Sequence, residues 1–251
     1  MDNYHSLSFH DHKQIFQSTI SEASFMIPRW MKPSAWHQHA PFAFFLTEAI
    51  KPNIIVELGT HHGYSFFSFC QAVSEFELNT QCYAIDTWQG DSHSGFYPDQ
   101  IFQEVEGHRA QYYSSFAHLR RMTFAEALPE FEDNSIDLLH IDGRHFYDDV
   151  KQDFLDWLPK LSDNGIVLFH DTQIKERNFG VYQFWEQLAS VRPSFEFYHH
   201  CGLGVISTGS TIPKKIEYLL NVKEKKIVAD QIRSYYERLG LGIVSLYNSR
   251  D

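Results

Sequence analysis

Short apolar runs punctuate the chain at positions 53–58, 81–86, 120–123, 136–142, 165–170, 195–200 and 203–207. Between them apolar residues recur at helical spacing, most clearly from Tyr64 to Phe76. Strands alternating with helices predict a mainly parallel sheet with helices on both faces, an α/β architecture. Residues 1–50 read as an N-terminal helical segment that ends in the apolar Phe42–Ile50 run and a Lys51-Pro52 break, and that helps to cover the site. Residues 213–240 are charged and helix-prone, with Ile216, Leu219, Ile227, Val228, Ile232, Tyr235, Tyr236 and Leu239 forming an apolar stripe. The stripe is expected to pack on its own domain, and a homo-oligomer contact is its alternative use. The organisation expected is therefore a segment at 1–50, a core at 51–210 and a helical extension at 211–251.

Composition narrows the partners. The chain has 251 residues, 43% of them hydrophobic, enough for one substantial core, and a net charge of −11 that argues against nucleic acid or anionic membrane as a general partner. No apolar window is long enough to span a bilayer, and no export signal opens the chain. Cys70, Cys82 and Cys201 have no paired spacing, which fits a reducing, cytoplasmic setting. The 15 histidines are scattered. His5, His10, His12, His37 and His39 are expected at exposed helix or loop positions, and His199-His200 on opposite faces of a strand. His199-His200-Cys201 lacks the second ligand pair of a structural zinc site.

The chemistry begins in Ile54-Ile55-Val56-Glu57-Leu58-Gly59-Thr60-His61-His62-Gly63-Tyr64-Ser65, a strand that ends in an acid, then a glycine-punctuated turn, then a helix. It lacks both Gly-Lys-Ser/Thr and Gly-x-Gly-x-x-Gly, so neither a phosphate loop nor a dinucleotide turn is present. Glu57 would repel pyrophosphate and favour a cation, and S-adenosylmethionine, with a sulfonium and an ammonium, has that polarity. Cys82-Tyr83-Ala84-Ile85-Asp86 is a second strand ending in a carboxylate. Asp86 is placed to accept both ribose hydroxyls, or else is an ordinary cap. Asp142 and Asp171 end two neighbouring strands at the ligand edge, where paired carboxylates suit magnesium, calcium or manganese. His145, three residues after Asp142, has the pKa range of a general base, its alternative being to organise the loop. The polar stretch 89–98 reads either as a lid, in which Trp88, Phe96 and Tyr97 stack on an acceptor while Asp91 and His93 bond its hydroxyls, or as a flexible surface excursion.

In this order the segments resemble class I S-adenosylmethionine-dependent methyltransferases. Glu57-Leu58-Gly59-x-x-x-Gly63-Tyr64-Ser65 is similar to the first motif of catechol-type and macrolide-sugar O-methyltransferases. Ile136-Asp137-Leu138-Leu139-His140-Ile141-Asp142-Gly143-Arg144-His145, Tyr147-Asp148-Asp149-Val150-Lys151-Gln152-Asp153, Val167-Leu168-Phe169-His170-Asp171-Thr172 and Gly202-Leu203-Gly204-Val205 resemble the branch that modifies antibiotic sugars and surface polysaccharides. The resemblance covers roughly residues 50–207 and implies a Rossmann-like seven-stranded sheet whose last strand is antiparallel. It implies cofactor contacts from Glu57, Gly59, Thr60, His61, Gly63, Ser65, Asp86, Thr87, Trp88, Thr123 and Phe124, and a divalent metal, magnesium or manganese, on Asp142, His170 and Asp171. His170 stands where relatives carry an acid, which tilts preference toward manganese, iron or zinc. His145 with Asp142 would be catalytic. The function implied is methyl transfer to a hydroxyl of a sugar or glycosylated small molecule in polysaccharide biosynthesis. A catechol-like phenol acceptor and a non-catalytic cofactor-binding module of a glycan-assembly complex are the alternatives.

Overall fold

The computed structural model describes residues 7–91 and 95–249. The expectations for His5 and His93 lie outside the described residues. The chain runs α1 (Phe9–Thr19), α2 (Ala40–Ile50), β1 (Ile54–Leu58), α3 (Tyr64–Glu75), β2 (Gln81–Asp86), β3 (Gly90–Asp91), β4 (Gly95–Phe96), α4 (Asp99–Tyr112), β5 (Ala117–Arg121), α5 (Phe124–Ala127), β6 (Ile136–Ile141), α6 (Tyr147–Trp157), β7 (Leu161–His170), α7 (Val181–Val191), β8 (Ser194–Phe197), β9 (Leu203–Ser207), α8 (Lys214–Leu220) and α9 (Lys226–Asn248).

Seven strands form one sheet in the order β5-β2-β1-β6-β7-β9-β8, and β3 and β4 make a separate two-stranded ribbon. β1, β2, β5, β6 and β7 pair in parallel, while β9, the last strand of the chain, is antiparallel to both its neighbours. This is a Rossmann-like seven-stranded sheet with the antiparallel last strand that was expected. Central strands are apolar on both faces because each face is covered. On one face Ile55 and Leu138 join residues of α2, α3, α8 and α9, and on the other Val56, Leu58, Leu139 and Ile141 join α6 and α7.

Several expectations shift. The strand expected at 120–123 lies at Ala117–Arg121, on the sheet edge where half-exposed Arg120 and Arg121 blur the apolar signal, and Thr123 instead caps α5. The strand expected at 195–200 ends at Phe197, so His199 and His200 sit in a turn. His37 and His39, within the N-terminal segment, are buried, not exposed, and His39 packs against His170 and His199. The C-terminal stripe packs on the same chain: Ile216, Leu219, Ile232 and Tyr236 are buried, and the Tyr236 hydroxyl donates to Thr19 O at 2.5 Å. Ile227 is the exception and faces solvent. No helix of the described residues is long and apolar enough to cross a membrane.

Candidate active site

The C-terminal ends of β1, β2, β6 and β7 open onto one cavity of about 1160 Å³. Ligands bind at that edge in such sheets because strand-end loops diverge there. Gly59 begins the first loop at φ +89, and a Cβ on it would lie 2.1 Å from Asp142 O, so the β1 and β6 turns touch backbone to backbone. Gly63, at φ +76, starts α3. Thr60, His61, Ser65, Asp86, Thr87, Thr123 and Phe124 line the cavity beside Gly59.

Glu57, Gly63 and Trp88 do not line it. Glu57 is wholly buried, and β1–β6 register sets it opposite His140. Trp36 Nε1–H donates to His140 Nε2 at 3.2 Å, and the other imidazole nitrogen lies 2.8 Å from Glu57 Oε2. Indole nitrogen can only donate, so Nε2 must accept and Nδ1–H must be the donor to Glu57. Burial raises the Glu57 carboxyl above its ordinary range, against the bond from His140. One oxygen of the carboxylate expected to meet a cationic ligand is thus held by His140, while Oε1 is buried without a hydrogen-bond partner. Trp88 is buried too, its indole donating to His61 O at 2.9 Å.

Asp86 faces the cavity but is largely engaged. It accepts from the backbone N–H groups of Thr60 and His61, both at 2.9 Å, and of Trp88 at 2.7 Å. A carboxylate offers about four lone-pair sites, so it retains capacity for one ribose hydroxyl rather than two. Tyr97 stacks on His61 with centroids 4.2 Å apart, whereas Phe96 points to solvent, 89% exposed. Of the expected lid aromatics only Tyr97 therefore reaches the cavity.

Deeper in, Asp142, His145, His170 and Asp171 alternate in charge. His145 Nε2 lies 2.9 Å from Asp171 Oδ2 and 3.6 Å from Asp142 Oδ1, and His170 Nδ1 lies 3.2 Å from Asp142 Oδ1 and 3.4 Å from Asp171 Oδ1. Burial would lower the His145 pKa, but the two carboxylates outweigh it and raise it to about 9. His170 is raised well above its ordinary value by the same balance, and Asp142 and Asp171 are held low by the imidazoles despite burial. Asp171 adopts φ +62, a strained conformation for a non-glycine residue that the surrounding bonds must hold.

Donor atoms converge in two groups of three, Asp142–His145–Asp171 and His170–Asp171–Cys201. The trio expected from sequence, Asp142, His170 and Asp171, is divided between them. Sequence reasoning also missed Phe179, whose ring stacks on His145 at 4.4 Å and 7°, Trp36 and Arg177, which line the cavity from segments without a motif, and Arg144, which lies within a motif but was given no role.

Comparison with known proteins adds the following. Residues 56–172 match a family described as Methyltransferase domain. The uncharacterised protein y4gI of Sinorhizobium fredii is 53% identical over 186 residues, 74% of this chain and 20% of that protein, so the chain spans about a fifth of the relative's length. Among solved structures, a Staphylococcus aureus protein assigned as a caffeoyl-CoA O-methyltransferase superposes with a TM-score of 0.55 at 16% identity, over 80% of this chain and 100% of that one. Podospora anserina methyltransferase PaMTH1, bound to SAH, superposes with a TM-score of 0.52 at 14% identity, over 82% and 99%. At such identities the likeness is one of fold.

Proposed function

We propose that this chain is a class I S-adenosylmethionine-dependent methyltransferase and that it moves a methyl group to a hydroxyl of a sugar or glycosylated small molecule. The observation that carries the reading is a single cavity lined both by the Gly59–His61 turn with Asp86 and by the Asp142–His145–His170–Asp171 cluster. S-adenosylmethionine, when bound, supplies an electrophilic methyl on a sulfonium. The cavity fits it: its volume is ample and Asp86 keeps one acceptor site.

His145 takes the acceptor's proton. As the O–CH₃ bond forms and the S–CH₃ bond breaks, the hydroxyl proton would pass to neutral His145, which a pKa of about 9 makes the minor form at neutral pH in the metal-free protein, and a cation on the neighbouring carboxylates would lower that value. Phe179 fixes the plane of the ring, so that Nε2 keeps one direction. Arg144 and Arg177 at the cavity wall suit a polyhydroxylated or anionic acceptor. The two convergent donor groups also fit a divalent cation. Such an ion, held through Asp142, His170 and Asp171, would supply Lewis acidity toward the acceptor oxygen.

A catechol-like acceptor is the second reading, because its two vicinal oxygens would chelate an ion held by the same donor groups. Transfer of labelled methyl from S-adenosylmethionine to a panel of free and nucleotide-linked sugars and catechols, with and without chelator, separates the two. His145→Ala is expected to keep cofactor affinity, read by calorimetry, and to lose roughly 10²–10⁴-fold in transfer rate. An unchanged rate would remove His145 as the base. Absence of transfer to every acceptor, with cofactor still bound, would favour a scaffold.

A further inference from the structure

Cys201 is the one thiol of the chain that faces the cavity, Cys70 and Cys82 being buried in the core. Its position is built by backbone contacts. The carbonyl of Cys201 accepts from Gln173 N at 2.9 Å, which ties the turn before β9 to the segment just after Asp171. Gly202, at φ +86, lets the two chains press together, since a Cβ there would lie 2.5 Å from Thr172 Oγ1. The result brings Sγ, a ring nitrogen of His170 and a carboxylate oxygen of Asp171 within 4.8 Å of one another.

His170 is an anchored ligand for such a group. It is 3% exposed, and its Nε2 is buried without a hydrogen-bond partner. The other ring nitrogen, Nδ1, faces the carboxylates of Asp142 and Asp171 at 3.2 and 3.4 Å, so it is the nitrogen turned toward the group. Ligand atoms around a tetrahedral ion stand about 3.4–3.8 Å apart. The 3.4 Å edge from His170 Nδ1 to Asp171 Oδ1 already has that length.

We infer that His170, Asp171 and Cys201 form a three-ligand seat for a borderline transition ion such as zinc, iron(II) or cobalt(II), with its fourth position open to the cavity. This rests on the metal-assisted reading above and sharpens it. A thiolate among the ligands disfavours magnesium, which takes oxygen donors in octahedral geometry. The choice of seat matters for catalysis. An ion in the other donor group, Asp142–His145–Asp171, would consume the imidazole that has to accept the proton. In the Cys201 seat, ion binding releases the thiol proton to solvent, and His145 stays available.

Cobalt(II) titration of the purified full chain, followed by absorption, tests this. The wild type is expected to show d–d bands together with a near-ultraviolet thiolate-to-cobalt charge-transfer band, undisturbed by excess magnesium. Cys201→Ser should keep S-adenosylmethionine binding, lose the charge-transfer band and bind cobalt at least about tenfold more weakly. His145→Ala should keep the band. In the wild type, zinc should also slow alkylation of Cys201 by iodoacetamide. The d–d bands without charge transfer, or a charge-transfer band unchanged in Cys201→Ser, would overturn the Cys201 seat while leaving a metal-assisted enzyme standing. No cobalt spectrum at all would remove both.

Discussion

Glu57→Gln and Glu57→Ala together decide what the acid at the end of β1 does. Its Oε2 receives the His140 Nδ1–H at 2.8 Å, and His140 cannot turn to another tautomer because Trp36 N–H occupies Nε2 at 3.2 Å. Truncation to alanine leaves that N–H buried and unpaired, a loss of about 1–3 kcal/mol. The small cavity left behind adds roughly 1 kcal/mol. Urea unfolding should therefore show Glu57→Ala less stable by about 2–4 kcal/mol. Glutamine keeps an amide oxygen for His140 and removes a carboxyl whose pKa burial has raised, two effects that nearly cancel, so Glu57→Gln should stay within about 1 kcal/mol of wild type. Because Glu57 lies behind the cavity wall, calorimetry should give Glu57→Gln a cofactor Kd within about threefold of wild type. A tenfold or greater loss of affinity with an unchanged urea midpoint would refute the placement and return Glu57 to direct contact with the cofactor.

Gly59→Ala sets a Cβ 2.1 Å from a backbone oxygen at φ +89, and neither group is a flexible side chain that can yield. Destabilisation of about 3 kcal/mol is expected in thermal or urea unfolding, with cofactor affinity lost by calorimetry, and a variant that binds normally would mean the turn is not the cofactor cradle. In chelated protein, His145 has a folded pKa of about 9. A raised pKa contributes stability that is complete below the unfolded value near 6.5 and is lost as pH rises through the folded one, so about 3 kcal/mol should disappear between those limits. Urea midpoints from pH 6.5 to 9.5 follow this, and His145→Gln should flatten the slope, an equal slope in both proteins being the contrary result.

Legibility in the sequence followed local periodicity. β1, β2 and β6 lie inside the sheet, so they read as short, mainly apolar runs with acids at or beside their C-terminal ends. Asp142, His145 and Asp171 could be grouped because strand ends of adjacent parallel strands share one edge, and β6 and β7 are adjacent. β5 was displaced because an edge strand needs only one covered face. β7 starts at Leu161, ahead of the expected 165, since Ser162, Asp163 and Asn164 carry no apolar pattern and Asp137 bonds Ser162 from the neighbouring strand. Trp88 read as a lid residue, yet Asp86 Oδ1 captures its backbone N–H and the tight turn sends the indole inward to His61 O. Phe179 was invisible because it comes from the loop after β7, with no spacing that links it to His145.

The Glu57–His140 pair was hidden for a deeper reason: it depends on register between strands 83 residues apart in sequence, with Trp36 arriving from a third segment. Two apolar residues in place of the pair could give equal stability, since a buried polar pair gains little over a well-packed apolar one. What an apolar pair could not supply is direction. The indole N–H of Trp36 has one acceptor, and that acceptor is fixed only because Glu57 claims the opposite nitrogen of the ring. Pro33, Ser34, Ala35 and Trp36 form part of the cavity wall, so the buried acid sets where the N-terminal segment crosses the strand ends. An acid at the end of β1 thereby shapes the cavity it does not enter.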